Sequence, residues 1–422
     1  MLKSCLIIKE VPVTVLTGFK TDLGHGVREA INQVINVGLI GCGNWGRNYV
    51  RNFAQISGAR LVACCDINPE TLLSIRERYP LIKLTKNYRD IAGDPKIDAV
   101  VIATPPANHY PIARECLLRG KHVLVEKPFT LSSEEGYQLV DIAEKTGRVL
   151  MVGHIMDYHP GMRLVKKYIR NGELGKIFYL HSTRTSLGIV REDVSVLWDK
   201  APHDIASLLY LLEEEPVSVA ATGKAFVNEG VEDVVFVTLC FASGIIANIH
   251  VSWLDPCKAS RTTIIGEKKM IVFDDGEALE KVKVYSKGVN SRRDLLRKRE
   301  NSRVPSNGME NGGDASNGHD PLNGFSEFQY TFTYGDVYIP KLKMSEPLRN
   351  QCLHFLECIR EGKHPQTDAA SGARVVSVLE KAQESLKRNG EYVPIEPGSE
   401  AALAAKESFM AKARLFWKGL GF

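Results

Sequence analysis

The feature that most restricts how this chain can fold is a glycine cluster, Gly41-Cys42-Gly43-Asn44-Trp45-Gly46, lodged between a short apolar run and a helical stretch. The run ahead of it, Ile35 to Ile40, is β-branched and apolar, as a buried strand would be. The next apolar run, Leu61 to Cys65, ends at Asp66, 20 residues beyond Gly46. A G-x-G-x-x-G turn that leaves a strand, opens a helix and is followed at that distance by a carboxylate marks a dinucleotide-binding βαβ unit. Each glycine has its own reason. Gly41 permits the tight turn, Gly43 lets the backbone approach a pyrophosphate, and Gly46 allows helix and strand to pack closely. The helix start, with Asn44 and Trp45, offers free N–H groups and partial positive charge to the phosphates. Asp66 is expected to accept hydrogen bonds from the adenine ribose diol and to repel a 2′-phosphate, which favours NAD over NADP.

The alternation continues to residue 152. Ala99 to Ala103, His122 to Val125 and Val149 to Val152 are further apolar runs with helical stretches between them. One stretch opens at Ser132, which reads as a capping box with Glu135. Strands alternating with helices in this way predict a doubly wound parallel sheet, an α/β Rossmann domain over 35–155. One helix over about 160–171 then leads into longer strand-like runs at 176–185, 217–227, 231–241 and 244–253, with a hairpin turn at Phe241-Ala242-Ser243. These predict an α+β domain with an open, mostly antiparallel sheet over 156–396. Residues 288–325 break the pattern, and 304–324 hold five glycines and four asparagines. Such a segment cannot bury enough apolar surface to offset its ordering entropy, so a disordered insertion is expected there. Residues 1–34 read as an extension of unassigned order and 397–422 as a C-terminal tail.

The net charge is +4, and 292–303 alone accounts for it with six basic and two acidic residues. The remainder is balanced, so no nucleic-acid partner and no membrane surface is expected. No apolar run approaches the roughly 20 residues of a membrane helix. Leu6-Ile7-Ile8, broken by Lys9 and Glu10, is too short for a signal-peptide core. Nine cysteines with no C-x-x-C pair argue against a disulfide framework or a zinc site. They fit reduced thiols in a cytoplasmic protein.

Thr104-Pro105-Pro106 and Glu126-Lys127-Pro128 both follow directly on strand-like runs. In an open parallel sheet that is where ligands bind. By spacing alone Lys127 could equally be a solvated strand-end lysine. Asp199 and His203 stand four apart in D-K-A-P-H-D, and share a face if the segment is helical. Pro202 precedes the apolar helix expected at Ile205 to Leu212, so Asp199 could instead be its cap. Histidine titrates near neutrality and suits removal of a hydroxyl proton as hydride departs. His154 and His159, just past the last Rossmann run, are candidate substrate contacts. So is Trp198, which could stack on a sugar ring or be buried in the core.

In order along the chain, the G-C-G-N-W-G loop, the T-P-P-x-N-H stretch Thr104 to His109, Glu126-Lys127-Pro128 and the D-x-x-x-H pair Asp199/His203 resemble the Gfo/Idh/MocA oxidoreductase family. The resemblance covers about 35–396, the insertion apart. It implies Lys127 near the nicotinamide and the reacting carbon, His203 as acid/base, and Asp199 beside it. It sets Thr104, Pro105, His109 and Glu126 around the cofactor. It also implies a C-terminal sheet that mediates oligomerisation, hence a homodimer or homotetramer. Paired glycines often open the third motif in the family; here Val196-Leu197-Trp198 stand in their place. Leu197 to Asp204 and Glu346 to Phe355 look similar to members acting on sugar nucleotides, such as UDP-N-acetylglucosamine 3-dehydrogenases. The function implied is NAD-dependent hydride transfer at a sugar or sugar-nucleotide hydroxyl carbon, expected at C3. The same scaffold allows two alternatives: lyase or glycosidase chemistry through transient oxidation, and a non-catalytic NAD- or sugar-binding regulator.

Overall fold

In the computed structural model, which describes residues 34–188, 190–291 and 330–396, Ile35–Ile40 forms strand β1, buried at every position except Asn36. Ala59–Cys65 (β2), Lys83–Thr85 (β3), Ala99–Ile102 (β4), His122–Val125 (β5) and Leu150–Val152 (β6) join it in one parallel sheet. The order is β3-β2-β1-β4-β5-β6. It reverses between β1 and β4, and there the carboxyl ends of the strands open a crevice. Helices Asn44–Gln55 (α1), Pro69–Arg78 (α2), Arg89–Ala92 (α3), His109–Leu118 (α4) and Ser133–Thr146 (α5) connect the strands. At the start of α2, Pro69 takes the first helical position and the Asn68 side chain accepts the N–H groups of Glu70 and Thr71. The expected capping box of α5 does not form, because Ser132 makes no capping bond. A distant carboxylate, Glu380, accepts the Ser133 N–H at 3.1 Å instead.

The second sheet contains Ile177–Thr185 (β7), Pro216–Lys224 (β8), Val234–Phe241 (β9), Ile246–Ser252 (β10), Ala259–Gly266 (β11), Met270–Asp274 (β12) and Val282–Tyr285 (β13). Gly288–Ser291 (β14) and Tyr330–Thr333 (β15) pair in a separate ribbon. Val337–Tyr338 (β16) and Val393–Pro394 (β17) form the two edges, giving the order β16-β13-β12-β11-β7-β10-β9-β8-β17. Every pairing is antiparallel except β7 with β10. Strand alternation splits the sheet into two faces. Leu180, Val237 and Ile249 point inward against helices Val196–Leu212 (α7) and Ala369–Lys387 (α9). Tyr179, Phe236 and Ile246 are exposed on the other face.

Two findings correct the linear reading. Residues 288–291, placed in the disordered insertion, form β14 because they find a partner strand across the insertion. Residues 1–33, 292–329 and 397–422 lie outside the described residues, and with them the N-terminal extension, the basic run and the tail. The helix Pro347–Glu361 (α8) returns to the first sheet. Its Leu348, Cys352, Phe355 and Leu356 pack with Tyr49, Val50 and Phe53 of α1. Among the described residues, no helix is long and apolar enough to cross a membrane.

Candidate active site

The glycine loop is built as its spacing requires. Gly41 adopts φ +88, and a Cβ there would stand 2.6 Å from the Ala103 carbonyl. A Cβ on Gly46 would collide with the Gly41 carbonyl, so α1 could not lie so close to β1. Gly43 differs: nothing lies within 4 Å of its missing Cβ. That open side faces away from the protein's own atoms, and Gly43 is the N-cap of a helix with no acidic residue in its first turn. Asp66 is fixed at the tip of β2, where its carboxylate accepts the N–H of Cys42 at 2.7 Å and of Asn68 at 2.8 Å. Asn68, not Asp66, caps α2. At the end of β4 the Thr104 hydroxyl is buried without a partner. An open turn, a helix N-terminus, a fixed carboxylate and an orphaned hydroxyl fit an NAD laid across these strand ends. Trp45, 41% exposed, stands on the same helix start.

His109 does not face this crevice. It is fully buried, with Nδ1 2.8 Å from the Pro128 carbonyl and Nε2 2.8 Å from the Thr104 carbonyl. Both nitrogens are spent on the backbone, so the ring clasps the two strand-end loops together. Burial pushes its pKa down. Glu126 is likewise internal. Its carboxylate accepts the Tyr49 hydroxyl at 2.7 Å and the Lys127 N–H at 2.9 Å, and burial raises its pKa. A Cβ on Gly153 would stand 3.1 Å from Glu126, so β6 fits tightly beside it. Tyr49 and Glu126 thereby fix the backbone of Lys127 relative to the cofactor helix.

Lys127 leaves β5 through a cis bond to Pro128 and points across to the second domain. Its Nζ donates to the Asp199 carbonyl at 2.7 Å and lies 3.6 Å from Asp199 Oδ1. The expected start of α7 is corrected: the helix begins at Val196 and runs through Pro202. Proline inside a helix forfeits one backbone bond and costs about 3 kcal/mol. Burial of Val196, Leu197, Ala201 and Ile205 offsets this. Asp199 and His203 therefore do share one helix face, one turn apart. Asp199 is held by the Trp253 indole N–H at 3.2 Å and by Arg191 at 3.5 Å.

Burial depresses the Lys127 ammonium, and Arg184 and Arg191 add to that. The His203 imidazole is pushed well below its ordinary 6.5 by burial, then by Lys127, Arg184 and His154. It is therefore neutral at neutral pH and can accept a proton. Arg184 is itself tied to the buried Asp204 at 2.7 Å. His154 is buried beside this cluster, and burial lowers its pKa to about 4. His159 is engaged elsewhere: its Nδ1 accepts the Gly161 N–H at 3.0 Å, and Nε2 lies 3.3 Å from Asp275. It caps Pro160–Arg170 (α6) and does not present a free nitrogen. Trp198 packs against the apolar cores of both domains, a wedge between them.

Tyr49, Arg184, Arg191, Trp253 and Gln351 belong to the site's surroundings, and the sequence reading missed them. Arg191 lies eight positions before Asp199 and Arg184 twenty before Asp204, while Tyr49, Trp253 and Gln351 arrive from more distant segments.

The description "Oxidoreductase family, NAD-binding Rossmann fold" matches residues 35–154, and the GFO/IDH/MocA C-terminal domain matches 162–272, together more than half of the chain. A UDP-N-acetylglucosamine 3-dehydrogenase of Acidithiobacillus ferrooxidans is 32% identical over 241 residues, 57% of this chain and 74% of that one. A glycosyl hydrolase family 109 protein of a Shewanella species is 36% identical over 166 residues, 36% of each chain. The crystal structure of GenD2 from gentamicin A biosynthesis, in complex with NAD, superposes with a TM-score of 0.68 at 20% identity, covering 86% of this chain and 97% of that one. The chain belongs to the Gfo/Idh/MocA family of oxidoreductases with an NAD-binding Rossmann domain.

Proposed function

We propose that this protein is an NAD-dependent dehydrogenase that oxidises or reduces a sugar or sugar-nucleotide at a hydroxyl carbon, C3 in the most specific form of the reading. The observation that carries it is the convergence of Lys127, from the end of β5, on Asp199, from α7, with His203 one turn further along the same face. Bound NAD would supply the hydride acceptor. His203, kept neutral by its lowered pKa, takes the hydroxyl proton. Lys127 faces the same oxygen with a positive charge and stabilises the alkoxide or carbonyl. Asp199 orients the lysine and is itself oriented by Trp253 and Arg191. Asp66 selects the unphosphorylated adenine ribose, favouring NAD over NADP.

Purified protein is expected to bind NAD by calorimetry and to raise NADH absorbance with a UDP-N-acetylhexosamine or a related sugar. No heat with NAD, or no NADH with any sugar, overturns the reading. The likeness to a glycosyl hydrolase family 109 protein favours a second one, in which oxidation is transient. Cleaved or dehydrated sugar without net NADH would select it. We further propose that a second copy covers the exposed sheet face around Tyr179, Phe236 and Ile246. Phe236→Lys is expected to lower the sedimentation mass; an unchanged mass counts against that face.

A further inference from the structure

Oxidation of a hydroxyl at His203 leaves an extra proton on the imidazole, which must depart before the next turnover. Further along α7 lies a cavity of about 460 Å³. Ala206 and Tyr210 of α7 line it, continuing the helical stripe that carries Asp199 and His203, and Glu213, which ends the helix, lines it as well. Its rim charges are paired among themselves. Lys166 and Arg170 lie 2.9 and 2.6 Å from Glu213, and Arg374 lies 3.3 Å from Glu215.

Two lining side chains stand apart. His154 is 2% exposed, and both of its ring nitrogens are buried without a partner. Asp157 is 5% exposed, and its Oδ1 is likewise unpartnered. The two share one turn, since the Asp157 N–H donates to the His154 carbonyl at 3.3 Å. Toward the catalytic centre, His203 Nδ1 is also buried without a partner. His154 is close enough to bear on the charge of His203, and Lys127 bears on both. Buried polar atoms are costly to leave unpaired. His154 and Asp157 line the cavity, and His203 stands one turn before Ala206, which lines it too; no direct hydrogen bond joins the three side chains.

Resting on the dehydrogenase reading, we propose that His154 carries the proton from His203 to this cavity, with Asp157 as the next acceptor. The substrate proton enters at one ring nitrogen of His203, and the proton already on the other leaves to His154 through a bridging water, since no direct hydrogen bond joins the two rings. His154 in turn releases the proton on its second nitrogen to Asp157 and to solvent in the cavity. One proton enters and one leaves, and no electron moves. The groups facing His154 suit a conductor rather than a sink. Lys127 disfavours a lasting charge on it, His203 stands on α7, and Asp157 lies on its own turn. Burial raises Asp157 to about 7, against Lys166 and Arg163 from α6, so it can take and lose a proton near neutrality. Arg374 of α9 also lines the cavity.

The test uses the full chain, NAD and the sugar that the wild-type protein turns over. His154→Phe keeps a ring of similar volume and removes both nitrogens. Its kcat is expected to fall about ten- to a hundredfold, while KM and the calorimetric affinity for NAD change by less than about threefold. The solvent deuterium isotope effect on kcat rises, because proton departure becomes rate-limiting. His154→Ala is expected to regain turnover with added imidazole and not with pyrazole, a ring of the same size that is too weakly basic to carry the proton. An unchanged kcat in His154→Phe, or equal rescue by both rings, overturns the relay and leaves the dehydrogenase reading standing. Absence of NAD-linked turnover in the wild-type protein overturns that reading and the relay with it.

Discussion

Lys127 carries the only ammonium that the first domain places against Asp199 among the described contacts, at 2.7 Å from its carbonyl and 3.6 Å from its carboxylate. Replacing it by alanine removes the charge facing the developing alkoxide, so kcat is expected to fall by about three orders of magnitude or more. NAD affinity, measured by calorimetry, should hold. Near-normal turnover would remove Lys127 from the proposed chemistry. His203 offers an independent check through pH. Its pKa is depressed below 6.5, chiefly by burial, so the neutral base persists from neutrality down into mildly acid solution. The acid limb of the oxidation rate should therefore lie below pH 6.5, and a limb centred above that value contradicts the assignment.

At the scale of elements, the glycine turn separates two jobs that one motif combines. Gly43→Ala meets open space and should fold normally, yet it should weaken NAD binding about tenfold or more by blocking the approach of a pyrophosphate. Gly46→Ala meets the Gly41 carbonyl and should lower the melting temperature instead. Equal effects of both substitutions in calorimetry and thermal melting would refute the division. This turn was legible in the sequence because the turn sterics, the helix start and Asp66 all lie within about 25 residues of one another. The strands ending at Thr104 and Lys127 were legible for the same local reason. The start of α7 was not, since a proline reads locally as a helix boundary while the buried Val196, Leu197 and Ala201 override it. The cap of α5 failed similarly, through a carboxylate 247 positions away. His109, Glu126 and His159 were read as contacts facing a ligand. Which way a strand-end side chain turns depends on what packs behind it, and the one-dimensional pattern does not hold that information.

The whole molecule carries its buried imidazoles as a pH liability. Burial lowers His122 and His154 to about 4, and lowers His109 and His203 as well. Below pH 6.5 the unfolded chain takes up protons on these rings before the native state does, and for His122 and His154 the gap extends down to about pH 4. The unfolded state then binds more protons, so stability falls as pH drops through that window. Asp157, raised to about 7, has the opposite sign, because its native form keeps a proton that the unfolded chain has lost. Glu126 and Glu135, raised by burial, act in the same direction as Asp157, but His250 and His354 are lowered too, so six imidazoles outnumber three carboxyls and the melting temperature is expected to decrease from pH 7 to pH 5. A flat or rising melting temperature by calorimetry would contradict the balance. His154→Phe should make the curve shallower.

The return of α8 to the first sheet also bears on how the protein is made. Tyr49 leaves the ribosome 302 residues ahead of Gln351, beside which it comes to rest. Until Leu348 to Leu356 emerge, the apolar stripe of Tyr49, Val50 and Phe53 lacks the part of its cluster that α8 supplies. Translation that stalls between those points releases a nucleotide-binding half whose sticky flank a chaperone, rather than the nascent chain, has to shield.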